Sequence, residues 1–141
     1  KKEKYVHRYM DDIVILSDSK KHLHNLRQDI TQYLKEELKL TVKGNWQVFP
    51  TKVRGIDFLG YRSFGDYTLL RKSTYKNFRK KMNYIRKSKR PLSEHEYMSI
   101  KSYEGWLLWC DSHNLKQTYI EPLEPKIKEY ERRKKINASN R

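Results

Sequence analysis

Apolar positions along this chain change their period several times, and each change marks an element. "YVHRY" (5–9) and "IVILS" (13–17) are short β-prone runs separated only by Met10, Asp11 and Asp12. They predict a tight hairpin of buried strands with both carboxylates at its tip. From Ser19 to about Leu38 the period becomes helical. Leu23, Leu26, Ile30, Tyr33, Leu34 and Leu38 form one stripe, with Lys, His, Gln and Glu on the other face. "LTV" (40–42) and "QVF" (47–49) flank a Gly44-Asn45 turn signal and read as strands, the second ended by Pro50. "GIDFLGYRSF" (55–64), a Gly65-Asp66 turn and "YTLL" (67–70) read as a second hairpin.

Past Leu70 no strand signal returns. Ser73 is placed to cap a helix running to about Ser88, with Tyr75, Phe78, Met82 and Ile85 as its apolar stripe. Pro91 breaks it. Ser93 and Glu96 have the capping-box spacing and open a helix through about Trp109. Tyr103, Trp106 and Trp109 share that helix at a spacing that suits core packing first and base stacking second, and close packing or close approach to a backbone would explain Gly105 among them. A third helical stretch begins near Leu115, is interrupted at Pro122 and Pro125, and resumes from about Lys126 into a basic end. The expected class is α+β, with antiparallel hairpins and a packed helix over 1–70 and an all-helical lobe over 71–141.

Of the 141 residues, 36% are hydrophobic and 35% charged, so the core must be thin relative to the surface. One cysteine, Cys110, excludes an intramolecular disulfide framework and fits a reducing compartment. No apolar run reaches the length of a membrane span, so a cytoplasmic, intracellular protein is expected. Net charge is +15, and ten of the basic residues stand in residues 71–90 without one acidic residue among them. Tyr75, Phe78, Met82, Tyr84 and Ile85 interleave that run, which makes it a folded basic helix rather than a solvated tail. Such a helix suits a polyanion, most simply a nucleic-acid backbone.

Two adjacent carboxylates repel each other unless something positive sits beside them. A divalent metal relieves that repulsion. Oxygen-only ligands with a phosphate-bearing substrate point to Mg²⁺, held by Asp11 and Asp12. From composition alone, a Tyr-x-Asp-Asp string arises by chance in roughly 3% of such chains. The flanking β runs and the basic helix make it more specific than that. His22 and His24, two apart on a helix, face different ways and make a poor metal pair.

"YMDDIVIL" resembles the Tyr-x-Asp-Asp hairpin of reverse transcriptases, in which an amphipathic helix follows, then a hairpin around Phe-Leu-Gly called the primer grip, then a helical thumb. "GIDFLGY" (55–61) is similar to that grip, and the order of elements agrees over essentially the whole chain. "RYMDD" and "FLGY" resemble the prokaryotic branch of group II introns and diversity-generating retroelements. The retron-type Val-Thr-Gly signature is absent. The resemblance implies a partial polymerase palm over 1–70 and a thumb bundle over 71–141. It implies Asp11 as principal metal ligand, Asp12 as second carboxylate, and Tyr9 and Met10 against the primer terminus and incoming deoxynucleotide. Phe58, Leu59 and Gly60 would hold the primer, and Lys76, Arg79, Lys80 and Arg86 would contact the backbone of the RNA template and primer duplex. Where the family often has an Asn-Pro-x-Lys-like stretch carrying a proton-donating lysine, this chain has "TVKGNWQVFPTK". Lys43 is the nearest candidate and Lys52 the second. The family also needs a further aspartate and the fingers upstream, so the chain is expected to be a C-terminal portion, inactive alone and prone to self-association through exposed palm surface. The rival readings are a non-catalytic RNA-binding module derived from such a polymerase and a basic structural scaffold.

Overall fold

The computed structural model describes residues 5–139. By compactness the chain divides after Pro50, rather than near residue 71 where composition changes.

In the first unit, β1 (Val6–Tyr9) and β2 (Asp12–Ile15) pair antiparallel, with Val6 opposite Ile15 and Tyr9 opposite Asp12. Met10 and Asp11 alone make the turn. The strands are not buried as their apolar content suggested: Val6, Tyr9, Met10 and Ile13 are all exposed. A two-stranded ribbon cannot cover its own faces. Helix α1 (Lys20–Glu37) starts where expected, the Ser19 hydroxyl accepting the His22 N–H at 3.2 Å. It contributes Leu26, the one buried residue among those described in this unit. Beyond α1 the expected strands at 40–42 and 47–49 do not form, although the Gly44-Asn45 turn does. This segment lies against the helix instead of pairing with itself. The Arg27 guanidinium stands 4.1 Å from the centre of the Trp46 ring, and His24 meets the same ring edge-on at 6.2 Å.

The second unit opens with α2 (Thr51–Arg54) and a meander of β3 (Ile56–Phe58), β4 (Tyr61–Ser63) and β5 (Thr68–Leu70). The run 55–64 is therefore itself a hairpin, giving three strands where one hairpin was expected. Its turn is Leu59-Gly60, with φ +49° and +83°, the left-handed pair that a two-residue hairpin loop requires. Gly60 has a second reason to be glycine. A Cβ there would lie 2.4 Å from the Trp106 ring. Tyr61 packs on that ring at 5.3 Å and its hydroxyl donates to the Trp106 carbonyl at 3.1 Å. At the other edge, Asp111 closes on Thr68 through two hydrogen bonds of 2.8 and 3.0 Å. The sheet is thus stitched to the helices by side chains at both ends.

Helix α3 (Lys72–Lys87) begins directly after Arg71, so Ser73 lies inside its first turn and does not cap it. Its last carbonyls are met by Lys126, whose Nζ donates to Ile85 O at 2.9 Å and also to Ser88 O. Helix α4 (Glu94–Leu107) carries the expected capping box of Ser93 and Glu96. After the short α5 (His113–Leu115) come a π-helical turn (Lys116–Ile120), a 3₁₀ turn (Glu121–Leu123) and α6 (Glu124–Ser139). The apolar spacing dictates this winding. Leu115 to Ile120 is five residues, Ile120 to Leu123 three, and Leu123 to Ile127 four, the steps of π, 3₁₀ and α turns respectively. Pro125 falls in the first turn of α6, where its missing N–H costs nothing, and does not interrupt it.

The core lies in this unit. Phe78, Met82, Ile85, Ile100, Leu107 and Leu123 are fully buried. Tyr103 and Trp106 pack against them, but Trp109 is 75% exposed. Gly105 faces open space, so no close approach explains it. Cys110 is half-buried, and burial pushes its thiol pKa up.

Candidate functional site

The hairpin tip is built by a two-residue turn in which Met10 takes φ +52°. That left-handed conformation costs a non-glycine residue about 1–2 kcal/mol, and Arg8 offsets part of it by donating Nε to the Met10 carbonyl at 3.0 Å. Met10 is 72% exposed. Tyr9 and Asp12, directly opposed, share one face of the ribbon. Asp11 stands on the turn.

Lys43, from the irregular segment after α1, reaches this tip. Its Nζ lies 3.3 Å from Asp11 Oδ2, with the two side chains 78% and 75% exposed. The Asp11 backbone N–H, and then the Lys43 ammonium, hold the Asp11 carboxyl below its usual range. Thus three of the sequence-predicted residues, Asp11, Asp12 and Lys43, occur on one small surface. Lys52 belongs to α2 of the second unit.

The donor set can be tested for a cation. It offers carboxylate oxygens only, those of Asp11 paired with Lys43 and those of Asp12 without a hydrogen bond among the described residues. No group of three or more His, Cys, Asp or Glu converges anywhere among the described residues. Two carboxylates with a shell left for water and phosphate fit Mg²⁺, and do not fit a closed zinc site.

Phe58, Leu59 and Gly60 lie in the second unit, at the β3–β4 turn. Phe58 is half-buried and Leu59 is exposed. Gly60 is tied to Trp106, which accounts for the glycine without a ligand.

The four basic residues singled out on α3 fall together. At 100° per residue, Lys72, Lys76, Arg79, Lys80, Arg86 and Lys87 occupy one sector of about 120°, with Asn83 at its middle. All six are exposed, in a sector that adjoins the buried row of Phe78, Met82 and Ile85 on its Arg86 side. None pairs with a carboxylate among the described residues. The result is a straight cationic stripe about 22 Å long, from 1.5 Å of rise per residue. Tyr75 and burial hold the Tyr119 hydroxyl of the π turn above the usual tyrosine pKa, against the opposing pull of Arg79 and Arg86. By contrast, Arg71 and Arg90 of the same basic run are ion-paired, with Asp57 at 3.8 Å and Glu96 at 2.8 Å.

Sequence reasoning missed Lys72 and Lys87 as members of the stripe, although their spacing from Lys76 and Lys80 was available to it. It also passed over Trp46 and Arg27, for which the only signal was an aromatic ring in a turn-rich segment. No helix among the described residues is long and apolar enough to cross a membrane. No model of a known protein family matches the chain, and no curated protein matches it.

Proposed function

We propose that this chain is the carboxylate-bearing and duplex-holding part of an RNA-directed DNA polymerase, which adds deoxynucleotides to a primer 3′-hydroxyl. The observation that carries this reading is the exposed hairpin tip, where Asp11 and Asp12 stand side by side with Lys43 at 3.3 Å from Asp11. A surface evolved only to bind phosphates has no use for two carboxylates that repel them. Asp11 and Asp12 would hold Mg²⁺, which when bound activates the attacking hydroxyl and stabilises the leaving oxygen. Tyr9, on the face of Asp12, and the exposed Met10 would bear on the primer end and the incoming deoxynucleotide. Lys43 would supply a proton to the departing pyrophosphate. Leu59, exposed beside Gly60, would bear on the primer strand, and the α3 stripe would track the template–primer backbone.

The reading requires one more carboxylate than the described residues bring together, supplied by the fingers and remaining palm of the same polymerase. The cationic stripe by itself also suits a non-catalytic RNA-binding module, and one experiment separates the two. Asp11→Asn in the full-length protein should lower primer extension by about a thousandfold or more, equivalent to roughly 4 kcal/mol. Template–primer affinity should stay within about threefold, since Asp11 is no part of the cationic surface. Unchanged extension, or no extension in the wild-type protein, would leave the RNA-binding module as the better reading.

A further inference from the structure

Helix α4 turns an unusual face to solvent. Ile100 and Leu107 bury its inner side, and opposite them on the wheel stand Met98, Ser102 and Gly105. Trp109 prolongs that row just past the last turn, its N–H reaching the Trp106 carbonyl at 3.4 Å. Met98 is 58% exposed, Trp109 75% and the neighbouring Leu108 70%. The charges of α4 are already engaged within the chain. Glu94 pairs with Lys134 at 3.5 Å, Glu96 with Arg90 at 2.8 Å, and Lys101 with Glu104 at 3.0 Å. In a chain of net charge +15, α4 therefore presents apolar surface and no unpaired charge. Gly105 adds a second oddity. Glycine inside a helix is destabilising relative to alanine, yet a Cβ at Gly105 would meet no atom within 4 Å. No group of this chain needs the room that it leaves.

Met98, Ser102, Gly105 and Trp109 follow one another at steps of four, three and four residues, the spacing of a coiled-coil seam. That spacing is the same in both directions. An antiparallel copy of α4 thus brings Met98 against the partner's Trp109 and Ser102 against the partner's Gly105, each twice over, as a two-fold axis requires. The large residues meet at the two ends, where the Met98 thioether suits an indole ring. The small ones meet at the centre and let the two backbones approach. On the flank Lys101 faces Leu108 of the partner subunit, so no like charges are opposed. We infer that the outward face of α4 is a self-association surface whose occupant is a second copy of this chain, packed antiparallel across Ser102 and Gly105. A nucleic acid would find no free cation on α4 for its phosphates. The face is separate from the hairpin tip and from the α3 stripe, so the inference stands apart from the polymerase reading. Two helices of about four turns bury less than about 1,200 Å², which places the association in the weak, transient class.

Sedimentation of the intact chain, freed of nucleic acid by nuclease, tests this from micromolar to near-millimolar concentration. The mass should move from one chain toward two as concentration rises. Trp109→Ala and Met98→Lys, at exposed positions outside the core, should each weaken the dimer by about tenfold or more. Gly105→Gln separates association from folding because its two effects have opposite signs. The monomer should melt at a higher temperature, since glutamine is the better helix former, while the added bulk at the centre weakens the dimer by about tenfold or more. Register is read by cross-linking. With Cys110 replaced by Ser, Ser102→Cys chains mixed with Gly105→Cys chains should form interchain disulfides faster than either variant alone. A chain that stays monomeric at every concentration would overturn the inference, and so would a dimer indifferent to Trp109→Ala and Gly105→Gln. Cross-linking no faster in the mixture would overturn the antiparallel packing. Association that appears only on adding an RNA duplex, and is lost with Trp109→Ala, would give the face to nucleic acid instead of a second copy.

Discussion

Glu96 is the most heavily engaged charged residue among those described. One of its oxygens accepts from Ser93 N at 3.0 Å, Ser93 Oγ at 2.9 Å and an Arg90 guanidinium nitrogen at 3.0 Å. The other accepts from Arg90 at 2.8 Å. Burial pushes its pKa up, but the Ser93 and Arg90 hydrogen bonds outweigh burial and leave it below its ordinary 4.5. A depressed folded pKa means stability that is fully present above the unfolded value and lost as pH falls through the folded one. Glu96→Gln should therefore cost about 1–2 kcal/mol at pH 7, as a weakened cap and a lost charge-assisted bond do. The gap to wild type should close as pH falls below 4.5. Urea midpoints followed from pH 7 down through the acid range check this, and a gap that does not narrow as pH falls would show that the carboxylate charge is not its source. The capping box was legible in the sequence because both partners sit at a fixed offset of three residues. The Arg90 fork, reaching across Pro91, was not.

At the scale of elements, the α3 stripe gives a quantitative expectation. Replacing Lys76, Arg79 and Lys80 with Gln should weaken nucleic-acid binding and flatten the log–log salt dependence by about 2–3, at roughly 0.9 per duplex phosphate contact. A salt slope that does not change would place the footprint elsewhere. Helices were the readable elements. Their periods and caps are local, so α1, α3 and α4 lie within a residue or two of where the apolar stripes put them. Irregular and strand segments were misread wherever a distant partner decided them. Residues 40–49 had β-prone composition but were captured by Arg27 and His24 of α1. Leu59-Gly60 lacked an Asn or Asp to advertise a turn, and its geometry is enforced by Trp106, forty-six residues along the chain. Of the candidate site, the carboxylate pair was visible in four consecutive letters. Lys43 followed from a resemblance of order, and the packing of Trp46 on Arg27 in the same segment did not show.

The whole molecule is unevenly built. Ten residues of the buried cluster belong to the second unit, whereas the first has Leu26. Local opening tracks buried apolar contact, so native-state hydrogen exchange should be strongly graded. Core amides of α3 and α4 should exchange at least about a hundredfold more slowly than those of the β1–β2 ribbon, a difference of roughly 3 kcal/mol in opening free energy. Equal protection would mean that the ribbon's apolar residues are covered in solution by a second copy or another partner. The closing segment of the second unit carries a different kind of constraint, one of phase. Its steps of five, three and four residues keep Leu115, Ile120, Leu123 and Ile127 pointing the same way only because each turn is wound to match. Substitutions there can be absorbed one side chain at a time, but length cannot. A single residue inserted or deleted between Leu115 and Leu123 would rotate α6 by about 100°, carrying Ile127 out of the core and Lys126 away from the end of α3 together. This stretch of chain behaves less like a linker than like a gear whose tooth count is fixed.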